Sequence, residues 1–254
     1  MLKIIRFVFF TTLFFALLAT TRVSPVASGQ GENMDYLPFS KRLLRPFKLK
    51  KIELREDLRS GRALNVAGVQ IQEEKAAGAD DPNAESIHRI VFSGRNLSGK
   101  AWRVGATASN HYHALYEGDL DRNGSNDLVL AMSTGGNGLA PSTRLIFVTF
   151  DRRGDATLFE GTGYYQSLPD GILDVADLDG DGRAELVHMV FDDGYWITDV
   201  YRVRESRWSR VAGRFANMRF PLYTRFTSRP NHKPVHPERG RKPVAPNLLK
   251  PSNG

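Results

Sequence analysis

Two short acidic segments with the same side-chain spacing constrain this chain more than any other feature. One begins at Asp119 and the other at Asp177, so they start 58 positions apart. In both, carboxylate or amide side chains stand at positions 1, 3, 5 and 9, and a glycine stands at position 6. The side chains are Asp119, Asp121, Asn123 and Asp127 in the first segment and Asp177, Asp179, Asp181 and Glu185 in the second. The same spacing at two corresponding places indicates an internal repeat.

The sequence on either side of each acidic segment predicts β-strands. The flanks read ALYEGDL and LVLAM in the first copy, and ILDVADL and LVHMV in the second. Alternating and β-branched apolar residues of this kind favour strands over an amphipathic helix. A second strand pair is expected later in each copy, at 144–150 and 156–160 and at 196–203 and 208–212. We therefore predict an all-β fold of antiparallel hairpins, in blade-like repeats at about 112–161 and 170–213.

The acidic segments are predicted to bind calcium. Ca²⁺ takes six to eight hard oxygen ligands, and oxygen side chains on alternate residues of a tight loop point at one centre. Gly124 and Gly182 allow the sharp turn at position 6. Magnesium fits less well because it demands a strict octahedron. An EF-hand is excluded because position 12 is Leu130 or His188 and the flanks are not helical.

The loops DLDRNGSNDL and DLDGDGRAEL resemble FG-GAP or VCBS-type repeats, which form propellers in integrin α-subunits and occur in many secreted bacterial proteins. The resemblance covers 112–213. It implies calcium ligands at positions 1, 3, 5 and 9, together with the position-7 carbonyl of Ser125 and of Arg183. A propeller needs about four to eight blades, and two clear copies are too few to close one. A degenerate third copy near 57–64 stays open, and we favour one compact domain over an open fragment that needs a partner.

The N-terminus is expected to be a secretory signal peptide. Lys3 and Arg6 precede an apolar run over 7–19, and the small residues of 26–28 follow. Thirteen residues are fewer than the roughly 20 that a membrane-spanning helix needs. We predict cleavage after Ser28, no membrane span in the mature chain, and a secreted or periplasmic location.

Composition divides the remainder into three parts. A basic, irregular segment over 29–62, with a short strand candidate at 49–54, precedes the β-repeat domain at 63–220. Before the first clear repeat, that domain is expected to hold strands at 63–72, 87–92 and 101–106. The segment 221–254 holds seven basic residues against Glu238 alone and seven of the 13 prolines, so we predict a disordered basic tail. The tail is a candidate for contact with an anionic surface, and nucleic acid is the least expected partner. The chain has no cysteine, so disulfides cannot stabilise it.

Two functional classes fit this sequence. The first is a non-catalytic binding or adhesion module for an unknown protein or glycan, with structural calcium and a binding surface on the connectors 133–142 and 191–196. The alternative is an extracellular polysaccharide-active enzyme, although no catalytic residues are recognisable. Other candidate groups have ordinary structural explanations as strand, core or connector residues. These are the pair His111 and His113, the glycine-rich 135–138, and the aromatic residues Tyr164, Tyr165, Tyr195, Trp196 and Trp208.

Overall fold

A computed structural model describes residues 45–54, 58, 62–75, 88–108, 111–134, 143–192, 194–215 and 218–225. These residues form an all-β, antiparallel fold, which confirms the predicted fold class, and they form neither a closed barrel nor a closed propeller. In these ranges, no helix has the length and apolar character needed to cross a bilayer. The predicted signal peptide lies outside the described residues.

The part of the chain that the structure describes contains 18 strands. In chain order they are β1 (Lys50–Ile52), β2 (Leu64–Val66), β3 (Val69–Lys75), β4 (His88–Arg95), β5 (Ala101–Thr107), β6 (His111–Gly118), β7 (Asp127–Ser133), β8 (Thr143–Phe150), β9 (Ala156–Gly163), β10 (Ser167–Leu168), β11 (Gly171–Ile172), β12 (Val175–Ala176), β13 (Glu185–Asp192), β14 (Tyr195–Arg204), β15 (Arg207–Arg210), β16 (Gly213–Phe215), β17 (Met218–Phe220) and β18 (Leu222–Arg225).

Three antiparallel sheets contain most of these strands. The N-terminal sheet has the order β2-β3-β4-β5, and the central sheet has the order β1-β6-β7-β8-β9. The C-terminal sheet has the order β12-β13-β14-β15, and β18 also pairs with β14. Two short ribbons, β10-β11 and β16-β17, complete the fold. The central and C-terminal sheets therefore contain the four-stranded units that the two sequence repeats predict.

The central sheet is covered on both faces. Alternate residues of β7 point in opposite directions. Leu128 and Leu130 pack with the N-terminal sheet in one hydrophobic cluster, whereas Val129 and Ala131 pack with the C-terminal sheet in another. This double burial explains why β7 reads as a continuous apolar run, and it makes the central sheet the middle layer of the molecule.

The ordered fold extends beyond both predicted ends of the β-repeat domain. The short strand expected at 49–54, within the otherwise irregular segment 29–62, is β1, which pairs with β6 at the edge of the central sheet. Just before β1, the Phe47 amide donates to the Val175 carbonyl at 2.9 Å, and Leu49 is buried in the core between the central and C-terminal sheets. At the other end, β18 lies inside the predicted tail, so only 226–254 remains of it, outside the described residues.

One finer prediction in the N-terminal region was wrong. The single strand expected over 63–72 is a hairpin, because Ala67 and Gly68 adopt positive φ angles of 49° and 82° and turn the chain between β2 and β3. The degenerate repeat considered near 57–64 lies mostly outside the described residues, but the strands that flank it are described. The strand before it, β1, belongs to the central sheet, and the strand that starts at Leu64 belongs to the N-terminal sheet.

Candidate metal centres

Each acidic segment closes a hairpin between the first two strands of its repeat. Loop 1, residues 119–127, joins β6 to β7, and the register pairs Gly118 with Asp127. Loop 2, residues 177–185, joins β12 to β13, and the register pairs Ala176 with Glu185. In both loops, the residue before position 1 therefore faces the acidic residue at position 9.

The two loops share one backbone conformation. Positions 4 and 6 have positive φ in both: 60° at Arg122 and 91° at Gly124 in loop 1, and 81° at Gly180 and 79° at Gly182 in loop 2. Position 4 of loop 1 thus holds a non-glycine residue in the left-handed region, which costs energy that a glycine avoids. The matching angles indicate that the sequence repeat is also a structural repeat.

Four hydrogen bonds recur at equivalent positions of the two loops. The position-6 amide donates to the position-1 carboxylate, at 2.9 Å in loop 1 and 3.0 Å in loop 2. The position-5 amide donates to the position-3 carboxylate at 3.2 Å in both. The position-7 amide donates to the position-5 side chain at 2.7 and 2.8 Å. The position-2 amide donates to the position-9 carboxylate at 2.9 and 3.0 Å. Backbone amides therefore aim the acidic side chains inward.

Three carboxylates converge in each loop. Each can offer one oxygen to a common metal ion, and these oxygens lie within 4.8 Å of one another. At that separation, two full charges repel by roughly 3 kcal/mol at an effective dielectric constant of about 20. The groups, which the acidic spacing had predicted, are Asp119, Asp121 and Asp127 in loop 1 and Asp177, Asp179 and Glu185 in loop 2.

The position-9 carboxylates are the most buried members of these groups. Asp127 and Glu185 are both 0 % exposed. The pKa of Asp127 is raised to about 8, mainly by burial and also by the neighbouring Asp121 and Asp119 charges, while two backbone hydrogen bonds act in the opposite direction. Burial also raises the pKa of Glu185 to about 7, with a contribution from Asp179 and Asp181. The hydrogen bonds and charges of the protein therefore do not fully offset the desolvation cost of an ionised carboxylate at either position.

The loops differ in how their charge is balanced. In loop 2, Arg202 donates to Asp179 at 2.9 Å, and Arg204 donates to the position-5 Asp181 at 2.7 Å. Arg183 also lies 3.4 Å from Asp181, which stands outside the convergent group. Among the described residues, no cationic side chain lies within 4.0 Å of the three loop 1 carboxylates, and the position-5 Asn123 donates to the Phe150 carbonyl at 2.6 Å.

Both sites have the donor set that a hard divalent cation requires. The oxygens are carboxylates, which suit Ca²⁺ or Mg²⁺ rather than softer transition metals. In loop 2, Glu185 Oε1 is buried and accepts no hydrogen bond from the described residues. The nearest cationic atoms, on Arg204 and Arg202, are 3.8 and 4.0 Å away. An unsatisfied buried carboxylate oxygen beside two further carboxylates fits a bound cation.

The loops also contact each other. Arg122 of loop 1 donates to the Asp181 carbonyl at 2.9 Å, and Arg183 of loop 2 donates to the Asp121 carbonyl at 3.0 Å. A backbone bond of 2.8 Å from Ala184 to the Leu120 carbonyl lies between them. The two candidate centres are therefore connected by hydrogen bonds, and the connected loops join the central sheet to the C-terminal sheet.

The remaining candidates are placed as structural residues. His111 and His113 lie on β6 but join no group of three potential metal ligands within the described ranges. Among the aromatic residues, Tyr165 and Trp208 pack against the core between the central and C-terminal sheets, while Tyr195 and Trp196 are 1 % and 4 % exposed. The packing of these four rings therefore agrees with their expected role as core or strand residues.

The predicted connector surface is only partly described. Residues 135–142 of the first connector lie outside the described residues. The second connector is a short turn between β13 and β14, where Phe191 and Trp196 pack edge to face at a centroid distance of 5.3 Å. Among the described residues of the second connector, the Phe191 and Trp196 side chains therefore contact each other, and Gly194 is exposed.

Sequence reasoning missed the cationic partners of loop 2. Arg202 and Arg204 stand two apart on β14, so they project from the same face of the strand. Their spacing was visible in the sequence, but the partner was not, because only sheet pairing brings β14 beside the start of β13. The Ser206 amide, which donates to Asp121 at 2.6 Å, is another long-range partner with no sequence signal.

Comparison of the chain with protein-family models, curated proteins and solved structures found no match.

Proposed function

We propose that loops 1 and 2 each bind a structural Ca²⁺ ion and that the protein is a calcium-stabilised β-repeat binding or adhesion module of the FG-GAP or VCBS type. The observation that carries the proposal is the convergence of three carboxylates in each loop, with four shared backbone hydrogen bonds and a buried acid at position 9. Calcium accepts the irregular, oxygen-rich coordination that such loops offer.

Calcium offsets the cost of placing these charges together. Each loop holds at least one fully buried carboxylate beside two others, and a divalent cation favours the ionised form of all three. Because the unfolded chain lacks this arrangement, the ion binds the folded state preferentially and stabilises it. In the secreted or periplasmic location that the N-terminus predicts, dissociation constants of about 10⁻⁴ to 10⁻³ M would suffice for occupancy.

A non-catalytic role fits the described residues better than catalysis does. The position-9 acids, whose raised pKa values would otherwise suit proton transfer, face the other acids of their loops and would be committed to the ion. The ligand of the proposed module is an unknown protein or glycan. A polysaccharide-active enzyme remains the alternative, and its catalytic groups would have to lie away from the loops.

The decisive experiment measures thermal unfolding of the purified chain in excess chelator and during a calcium titration. At a calcium concentration 100 times the dissociation constant, one site adds about 2.7 kcal/mol of stability. For a chain of this size, that raises the melting temperature by several degrees, at about 2–4 °C per kcal/mol. An unchanged melting temperature, with no ion bound by mass spectrometry, would contradict the proposal.

Glu185→Gln is the sharpest variant for loop 2. Since Oε1 of Glu185 has no hydrogen-bond partner among the described residues, an amide at this position sacrifices no such bond and removes a buried charge. In chelator, the variant should melt at or above the native temperature. In calcium, the melting temperature of the variant should rise less than that of the native chain, because loop 2 no longer contributes. Glu53→Gln makes the same charge change at an exposed residue before the first repeat and should retain the full calcium response.

A further inference from the structure

Six arginines line one cleft beside loop 1. The cleft has a volume of about 970 Å³ and is bordered by loops 1 and 2, the β8–β9 turn and the β14–β15 turn. Its acidic members are fewer: Asp121, Asp151, Asp155 and Glu205. The cleft therefore has an excess of positive charge, although it adjoins an acidic centre. The arginines are Arg122, Arg152, Arg153, Arg183, Arg204 and Arg207.

Three of these arginines have uncommitted guanidinium groups. Arg183 and Arg204 pair with Asp181, and Arg122 donates to the Asp181 carbonyl. The side chains of Arg152, Arg153 and Arg207 are exposed, and none has a hydrogen-bond or ion-pair partner among the described residues. These three side chains are thus available to a ligand without breaking an existing contact.

The β8–β9 turn that carries Arg152 and Arg153 is held in place from two sides. Asp151 accepts from the amides of Arg153 and Asp155 at 2.8 and 2.9 Å. The N-terminal sheet braces the turn from outside: Asn96 donates to the Asp155 carboxylate, and the Leu97 amide donates to the Arg153 carbonyl, both at 2.8 Å. The backbone that presents these two arginines is therefore preorganised.

The β14–β15 turn that precedes Arg207 is also fixed. Glu205 and Ser206 have positive φ angles of 49° and 60°, as a tight hairpin turn requires. The Ser206 amide donates to the buried Asp121 carboxylate, and the Ser206 carbonyl accepts from the Thr149 hydroxyl. The three free guanidinium groups thus extend from two rigid turns around one cleft.

We propose that this cleft, which we name the arginine cleft, binds an acidic polysaccharide through Arg152, Arg153 and Arg207. The planar guanidinium donates paired hydrogen bonds to sulfate and carboxylate groups. Because the three arginines extend from two separate turns, they can contact several anionic groups along one polymer chain. A single small anion could not reach all of them at once. The volume of about 970 Å³ is at the upper end of ligand clefts and accommodates such a chain segment.

The lining of the cleft argues against two other polyanions. None of its described residues is aromatic, so single-stranded nucleic acid would find no platform for base stacking. Only Ala156 is apolar, so a lipid surface would gain no insertion of side chains. The loop 1 side chains Asp121 and Asn123 border the cleft, but the uncommitted arginines lie outside both metal loops, so the inference does not depend on calcium.

The test measures binding of the full chain to dextran sulfate and to polygalacturonate, at about 0.15 M salt, where weak long-range charge effects are screened. These two probes separate sulfate from carboxylate as the source of charge, and neutral dextran should not bind. The triple variant R152Q/R153Q/R207Q should bind at least about tenfold more weakly because it loses charge-assisted hydrogen bonds. R152K/R153K/R207K, which keeps the charge but not the paired donors, should fall between it and the native chain.

A matched control removes equal charge elsewhere. K51Q/R214Q/R219Q changes three exposed residues on β1 and on the β16-β17 ribbon, and it should bind within about twofold of the native chain. An equal loss in the control would overturn the inference, as would failure to bind either acidic polysaccharide. If a single-stranded oligonucleotide binds as tightly as the acidic polysaccharides, the cleft attracts polyanions in general, and the inference is also overturned. If the chain binds acidic polysaccharide but calcium does not raise its melting temperature, only the calcium proposal is contradicted.

Discussion

Asp174 is a buried acid that no metal loop uses. It lies in the turn between β11 and β12, is 0 % exposed, and accepts one hydrogen bond from the Gln166 amide at 2.7 Å. Its second oxygen has no hydrogen-bond partner among the described residues. Burial raises the pKa of this carboxyl to about 7. The nearby Tyr165 has its pKa raised well above the usual value, so it stays neutral across the range in which Asp174 titrates.

The raised pKa of Asp174 predicts a specific dependence of stability on pH. Between the ordinary pKa of 3.8 and about 7, the folded state holds a proton that the unfolded state has lost. The contribution of Asp174 to the free energy of unfolding therefore falls as pH rises through this window, by on the order of a few kcal/mol. Asp174→Asn removes this titration, so relative to the native chain the variant should be more stable at pH 8 than at pH 4.5.

Urea unfolding of both chains at the two pH values measures the effect. The difference between variant and native chain isolates Asp174, since the other titrating groups, including the buried His188 with its pKa lowered by burial to about 4, are common to both. Asp170→Asn makes the same change at an exposed residue of the neighbouring β10–β11 turn and is the matched control. A pH-independent difference for Asp174→Asn would refute the assignment.

Among the strands, β18 allows the predicted tail to be separated from the folded body. It pairs with β14 from Tyr195 to Thr198, and Leu222 is 7 % exposed within the cluster that covers the outer face of the C-terminal sheet. Truncation after Arg225 should leave the melting temperature unchanged. Truncation after Phe220 removes β18 and should cost about 2–4 kcal/mol through lost apolar burial and strand pairing. Equal melting temperatures of the two truncations would show that β18 adds no stability.

The repeat strands were predictable because their signal is local. Leu128 to Met132 form an apolar run, and such a run indicates a strand that is covered on both faces. The acidic spacing located three carboxylates of each centre for the same reason: a tight loop brings alternate side chains together without help from distant residues. Local pattern therefore gave the hairpins, the loop positions and the fold class.

Most of the pairings and contacts that the sequence did not reveal depend on distant partners. The strand candidate at 49–54 is β1, but its partner β6 lies more than 60 positions away, and the sequence carries no local signal for that pairing. The β2–β3 hairpin was hidden because Ala67, an unusual residue at positive φ, interrupts an otherwise alternating run. Likewise, the contacts of Arg202 and Arg204 with loop 2 follow from strand packing, which spacing alone does not specify.

At the scale of the whole molecule, the contact between loops 1 and 2 should couple the two proposed ions. The loops exchange arginine-to-carbonyl hydrogen bonds through Arg122 and Arg183, and they bridge two sheets that share one core. An ion that orders one loop thereby restrains the contacts of the other. Residues in one hydrogen-bonded network show interaction energies of about 0.5–3 kcal/mol, whereas independent sites add to within about 0.5 kcal/mol.

A double-mutant cycle of Asp119→Asn and Asp177→Asn measures this coupling. Both residues stand at position 1 and accept an amide hydrogen bond from the position-6 glycine, so the ion-independent costs of the two changes are matched. In saturating calcium, the double variant should lose less stability than the two single variants lose in total. The reason is that the loss of either ion already weakens the hydrogen bonds between the two loops. The interaction energy should shrink in chelator, where neither loop is filled. Additivity in calcium would show that the loops stabilise their hairpins independently, despite the hydrogen bonds between them.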